Sequence, residues 1–472
     1  MKTLKNYFFT IGYQIFSIIL PLITMPYVSR ILGPTGLGKF NASFSLSQLF
    51  VIFSMLGIQK YGSLIISRDR DDSNKNRKDF YELYTTQFFF SVISYLFYIG
   101  VIYLLTNGQD KVLYLVQGFY IFAAALDTSW YYQGKEMFGT IVKRSVFSKV
   151  LGVLLIFVFV KKAEDYIIYA AILCSSIFLS NLIMTFYLFK TEFKSFRLKF
   201  IWMRKRFYES FMFFIPSAIN QISIQIIPIL IGIYLSQADV SFYSNGLKII
   251  LIPMYIITSL ITVLYPRVVF EGKKPNSNVS NTLSYSISFI LLLIFPLTVG
   301  LISLAPNLVP WFFGNDFLKV TSVIIILSLR ILPSALIEFF GNLVLIPKGL
   351  TKEFTFLISF ESIFSILGGG LLSVFWGVKG FCWGIVMGDF LCLFFVIIYV
   401  QRFKLKLLRK EYIHFILYST IMYGAIQLVT SLTYFKGFIL STFQIVIGLV
   451  VYLTLILLFS RNELKRIIKL FK

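Results

Sequence analysis

Long apolar runs separated by short, mostly basic connections set the pattern of this chain. They fall at 6–31, 40–66, 81–105, 111–132, 142–160, 165–189, 209–235, 242–269, 281–304, 320–346, 354–375, 378–400, 412–432 and 437–459. A helix needs about 20 apolar residues to cross a hydrocarbon core about 30 Å thick, and these runs have that length. Backbone groups in lipid must be paired within the segment, so runs without period-two alternation are expected to be helices rather than barrel strands. The pattern therefore predicts an all-α polytopic membrane protein with about fourteen transmembrane helices.

The order of the runs also predicts how they are grouped. Helices 1–6 would form an N-lobe over 1–190, and a basic cytoplasmic linker would occupy 191–208. Helices 7–12 would form a C-lobe over 209–401, with helices 13–14 and a basic tail over 402–472. The two lobes carry a faint repeat. "RILGPTGLGKFNASFSLSQL" and "IYLSQADVSFYSNGLKIILI" each join two apolar runs, aligning Leu32 with Leu235, Leu37 with Val240 and Phe40 with Tyr243. Parallel repeats of this kind predict pseudo-symmetric lobes related by an axis along the membrane normal, around a central cavity.

Composition agrees with a membrane protein. Of 472 residues, 57% are hydrophobic and 14% charged, against about 25% charged in a soluble domain. The formal charge of +23 raises the prospect of nucleic-acid binding, but its distribution removes that reading. One set of connections holds clusters such as Arg68, Arg70, Lys75, Arg77 and Lys78, or Arg402, Lys404, Lys406, Arg409 and Lys410. The opposite set holds only scattered cations, among them Lys39, Lys111 and Lys319. By the positive-inside rule the basic set and both termini lie in the cytoplasm, and no nucleic acid is implied. The tail "RNELKRIIKLFK" reads as an amphipathic helix on the inner membrane surface. After Met1 and Lys2 the first apolar run is long and has no small-residue cleavage site, so no cleavable signal peptide is expected. Cys174, Cys382 and Cys392 lie in apolar runs without ligand or disulfide spacing, and read as packing residues.

One stretch invites an enzymatic reading. "GPTGLGKF" at 33–40 matches G-x-x-x-x-G-K-[ST] except at its end, where Phe40 replaces the magnesium-binding hydroxyl. It follows an apolar helix rather than a strand and falls on the outer side, so it reads as a turn between helices. No His/Cys metal cluster and no G-x-S-x-G accompany it.

Ionisable residues inside the apolar runs carry the functional signal. Lys60, Lys149, Lys248 and Arg330 lie within or near the spans, and Arg30 lies close to the end of the first. Each costs about 2.5–3.5 kcal/mol at a helix centre, so most are expected to face a polar cavity. Arg30, Lys60, Lys248 and Arg330 are the candidate cargo-binding cations, whereas Lys149 reads as a snorkelling side chain at an interface. The acids are Asp127, Glu338, Glu361 and Asp389. Asp127 and Asp389 are the candidates for proton or sodium coupling, and no other cofactor or metal is expected. A cationic surplus suits an anionic cargo held by forked Arg and point-charge Lys. Pro21, Pro26, Pro216, Pro228, Pro253, Pro296 and Pro333 predict bent helices that shape the cavity.

Taken together, these segments resemble the Wzx-like polysaccharide flippases of bacteria, the oligosaccharidyl-lipid transporters of the multidrug/oligosaccharidyl-lipid/polysaccharide (MOP) superfamily. "PLITMPYVSRILGPTGLGKF" is similar to the family's first helix and turn, and "DTSWYYQGKEMF" to its motif after the fourth helix. "GIQKYGSLIISRD" matches the end of its second helix, with Leu64 and Ile65 in place of Arg-Glu. "GLKIILIP", "LYPRV" and "FFGNLVLIPKGLTKEF" fit its second half, while Ile227 and Pro228 stand where an Asp-Lys pair is common. The resemblance implies a flippase that moves polyprenyl-diphosphate-linked oligosaccharide from the inner to the outer leaflet of the plasma membrane by alternating access. It also implies that Arg30, Lys60 and Lys248 fall on cavity-lining helices. Membrane lipids, a polysaccharide polymerase and glycosyltransferases of the same pathway are the implied partners. A multidrug cation antiporter of the same superfamily, or a membrane glycosyltransferase or polymerase, are the alternatives; the first would need buried carboxylates and the second catalytic acids.

Overall fold

The computed structural model describes residues 2–68, 72–106, 108, 110–193, 203–272, 279–403, 412–461 and 463–464. Half of the expected linker, 194–202, and most of the basic tail lie outside these residues. Among them the chain is helical throughout, and its helices group into the fourteen expected segments. Eleven continuous stretches are long and apolar enough to cross a membrane, one of which, Ile19–Arg68, holds two expected spans. Large apolar side chains cover the outside: Leu104 is 85% exposed and Phe375 79%. Such a surface is tolerable only against lipid. The protein is thus a multi-pass membrane protein.

The chain forms two compact units, Met1–Ser241 and Phe242–Lys472. The first contains α1 (Lys2–Met55), α2 (Ile58–Arg68), α3 (Ser73–Leu105), α4 (Asp110–Gln117), α5 (Phe119–Ala125), α6 (Ser129–Gly134), α7 (Phe138–Phe159), α8 (Tyr166–Leu188) and α9 (Met203–Tyr234). The boundary falls just inside α10 (Gln237–Gly272), so α9 belongs to the first unit.

Within α1, the helix breaks at Gly33 (φ 64, ψ 178), a conformation open to glycine, and Pro34 restarts it. This is the stretch that mimics a nucleotide loop. Its Lys39 forms an ion pair with Asp110 at 2.8 Å. A Cβ on Gly38 would lie 1.6 Å from the Gln237 carbonyl oxygen, so only glycine lets these backbones meet. The expected helix at 111–132 is divided into α4, α5 and α6. Gln87, fully buried on α3, holds the break between the last two by donating to the carbonyls of Ala124 (2.6 Å) and Asp127 (2.9 Å). It also accepts from Trp130 Nε1 at 3.0 Å. Around Trp130, rings of Phe80, Tyr84 and Phe193 stack into a buried cluster.

The second unit continues with α11 (Val279–Phe312), α12 (Lys319–Ser328), α13 (Ile331–Phe340), α14 (Thr351–Trp376), α15 (Val378–Gln401), α16 (Ile413–Leu432) and α17 (Gly437–Phe459). The break between α12 and α13 has a local cause. Pro333 has no N–H for the carbonyl four residues earlier, and the helix opens at Leu329 and Arg330. On α15, Gly380, Gly384 and Gly388 recur every fourth residue and meet α14. A Cβ on Gly384 would lie 2.2 Å from the Gly369 nitrogen. This is the small-residue packing that membrane helices use in place of hydrophobic attraction.

Candidate functional site

The turn between α1 and α2 positions the first candidate cation. Gly57 (φ 72) packs so closely on α9 that a Cβ would lie 2.6 Å from the Phe214 nitrogen. Gln59 and Lys60 follow at the start of α2, and both are exposed. They line a cavity of about 240 Å³ within the first unit, together with Gln48, Asp127, Asn181 and Gln221. A neighbouring recess of about 610 Å³ is lined by the same Gln59 and Lys60, with Ser63, Ser67 and Gln133. The Lys60 ammonium has no hydrogen-bond or ion-pair partner among the described residues.

Asp127 lines the same cavity but is structurally engaged. Its carboxylate accepts from the Ser129 N–H two residues on at 2.8 Å, an Asx turn leading into α6. Asn181 is also fixed: its amide donates to the Ala123 carbonyl (2.7 Å) and its oxygen accepts from Arg144 (3.3 Å). Lys149, read from the sequence as interfacial, donates to Ser17 at 2.9 Å.

In the second unit the break at Arg330 brings its guanidinium to α15. Arg330 Nε donates to Asp389 Oδ2 at 3.0 Å, and Ser334 Oγ donates to the same oxygen at 2.8 Å. Asp389 is nearly enclosed, with its side chain 4% exposed against 24% for Arg330. Glu361 on α14 lies beside the pair and accepts from Ser365 at 3.1 Å. Glu338 accepts from Thr258 at 2.9 Å. Lys248 on α10 is exposed and has no partner among the described residues, and Arg30 is exposed just before Gly33. The structure thus joins Lys60 with Asp127 in one cavity and Arg330 with Asp389 in one ion pair. Arg30 and Lys248 belong to neither.

Two features escaped the sequence reading. Gln48, Gln59 and Gln221 interrupt apolar runs, and that interruption was the available signal. The other is Arg206, at the polar start of α9. Its guanidinium meets Asp79, Glu82 (2.8 Å), Tyr61 (3.1 Å) and Glu209 (3.2 Å), tying α9 to α2 and α3. Burial opposes that charge, but the hydrogen bonds to Glu82 and Tyr61 and the field of Asp79 outweigh it and raise the Arg206 pKa. No distance from sequence could have paired Arg206 with residues about 125 positions earlier.

Helices throughout the described residues, apolar flanks and internal charges beside a polar cavity define a multi-pass membrane protein. Residues 3–269 match the family described as "Polysaccharide biosynthesis protein", and the chain belongs to that family. It is 23% identical over 390 residues to a Shigella dysenteriae protein described as "Putative O-antigen transporter", covering 80% of this chain and 94% of that one. An Escherichia coli (strain K12) protein of the same description is 25% identical over 149 residues, 31% of this chain and 36% of that one. Among solved structures, the fold is similar to the lipid II flippase MurJ in an inward closed conformation. The TM-score is 0.78 at 16% identity, covering 97% of this chain and all of that one. An inward-facing multidrug resistance MATE transporter of the MOP superfamily gives 0.64 at 15% identity, covering 81% and 93%. These likenesses show the MOP-type fold expected from the sequence. The relatives are named as transporters and a flippase, not as enzymes.

Proposed function

We propose that the protein flips a polyprenyl-diphosphate-linked oligosaccharide from the inner to the outer leaflet of the plasma membrane for surface polysaccharide assembly. The observation that carries this reading is Lys60, an exposed ammonium lining a polar cavity with no protein partner among the described residues. Such a charge is costly in an apolar unit unless an anion or water meets it. Family membership and the named relatives supply the class of cargo.

In this account Lys60, with Arg30 as a further cation of the first unit, attracts the diphosphate there; Lys248 and Arg330, whose guanidinium keeps donors that Asp389 leaves free, are the candidate cations of the second unit. The sugar rides in the hydrated interior while the prenyl tail stays in lipid. The basic connections and both termini face the cytoplasm. Moving one charge across the full field is worth about 2.3 kcal/mol per 100 mV, so a dianion leaving a negative interior gains roughly twice that. Ion coupling by proton or sodium would act at Asp127 or Asp389; at Asp389 it would loosen the hold on Arg330. A polymerase and glycosyltransferases of the pathway would supply and consume the cargo.

The test is initial flipping rate in proteoliposomes under an imposed potential. Lys60→Met combined with Lys248→Met is expected to slow flipping at least tenfold, and an undiminished rate would refute the role of these cations.

A further inference from the structure

Three carboxamides line the cavity of the first unit beside Lys60. Gln48, Gln59 and Gln221 have no side-chain hydrogen bond among the described residues, and all three border the same space of about 240 Å³. Gln48 is half-buried and Gln59 and Gln221 are exposed, so their donors and acceptors are open to whatever occupies the cavity.

The chemistry of the lining narrows the occupant. Each carboxamide offers two N–H donors and a carbonyl acceptor on a neutral, planar group. Sugar hydroxyls likewise both donate and accept, whereas a phosphate only accepts. Tyr120 and Phe214 add ring surface to the wall, which suits the apolar C–H face of a pyranose. Asn181, held by Ala123 and Arg144, makes a fixed side of the cavity. The volume suits one monosaccharide rather than a chain of them. Lys60 lines both this cavity and the larger recess next to it, where Ser63, Ser67 and Gln133 add polar groups.

We propose that this cavity is a saccharide subsite, holding the sugar adjacent to the diphosphate, with Lys60 at the junction between them. The inference rests on the flippase reading above and adds which part of the cargo the first unit recognises.

The experiment measures binding of two probes to the purified full chain in nanodiscs. One is a short-chain prenyl diphosphate, the other the same lipid carrying one N-acetylglucosamine. The wild type is expected to bind the sugar-bearing probe about tenfold or more tightly, as two or more hydrogen bonds would give. Gln48→Met with Gln221→Met keeps side-chain size but removes the amides. It should erase that preference while leaving affinity for the bare diphosphate unchanged, which also reports that the protein is folded. If the double variant loses both probes, the two single variants are read by the same criterion. A preference unchanged in the variants, or equal binding of both probes by the wild type, overturns the saccharide subsite and leaves the flippase reading standing. Failure of the wild type to bind either probe overturns both.

Discussion

Asp389 and Arg330 provide the sharpest energetic test of the second unit. Asp389→Ala removes an acceptor that takes two hydrogen bonds, from Arg330 Nε at 3.0 Å and Ser334 Oγ at 2.8 Å. It leaves a guanidinium that is 24% exposed without its closest counter-charge. Breaking a fully buried pair costs roughly 3–5 kcal/mol. Arg330 keeps partial access to solvent and still lies near Glu361, so a cost of about 2–4 kcal/mol is expected. For a unit of this size that lowers the melting midpoint in detergent by roughly 5–10 °C. Replacing both partners, Arg330→Met with Asp389→Leu, removes the penalty of a stranded charge and should return stability to within about 1 kcal/mol of wild type. Ser334 then has its own helix carbonyl to bond. The assay is a double-mutant cycle on thermal unfolding of the purified protein. Additive effects, with a coupling below about 0.5 kcal/mol, would refute the pairing.

Other positions follow from similar arguments. Gly38→Ala places a methyl 1.6 Å from the Gln237 carbonyl oxygen, so the backbones must part, at a cost of about 1–3 kcal/mol. Gly36→Ala meets its nearest atom, the Ala163 carbonyl, at 3.3 Å and should cost far less; equal losses in melting temperature would contradict the contact. Arg206→Ala withdraws the cation shared by Asp79 and Glu82, whose residues are 4% and 3% exposed. The expected loss is about 2–4 kcal/mol by thermal unfolding, and a neutral result would exclude the clamp on α9. Gln87→Leu strands the Trp130 indole N–H and the Asp127 carbonyl, and should cost about 2–4 kcal/mol; a loss under about 0.5 kcal/mol would mean that the break between α5 and α6 is held by packing.

Much of this architecture is legible in the chain because lipid leaves few choices. A long apolar run must be a helix, and Gly33-Pro34 marks the end of one and the start of the next. The local breaks were harder to read. The division of 111–132 depends on Gln87, which approaches from another helix and satisfies carbonyls that an intact helix would have used itself. The break at Arg330 was closer to readable, since Pro333 denies a hydrogen bond to residue 329. For the site, charge within apolar sequence pointed to Lys60, Asp127, Arg330 and Asp389, because ionised groups stand out against hydrocarbon. Which of them pair is a matter of tertiary approach. Arg330 and Asp389 are 59 positions apart, and nothing in their spacing joins them. Gln48, Gln59 and Gln221 carry no charge, and only their approach in the folded chain brings them to one cavity.

On the proposed function, this chain by itself carries lipid-linked oligosaccharide across a bilayer. The direct measurement reconstitutes the purified protein into liposomes with fluorescent polyprenyl-diphosphate-linked oligosaccharide in both leaflets. The fraction reached by a membrane-impermeant quencher is then followed without nucleotide. The account predicts that the quenched fraction rises from about half toward completion, faster with an outward driving potential. A quenched fraction that stays where protein-free liposomes leave it would contradict the account.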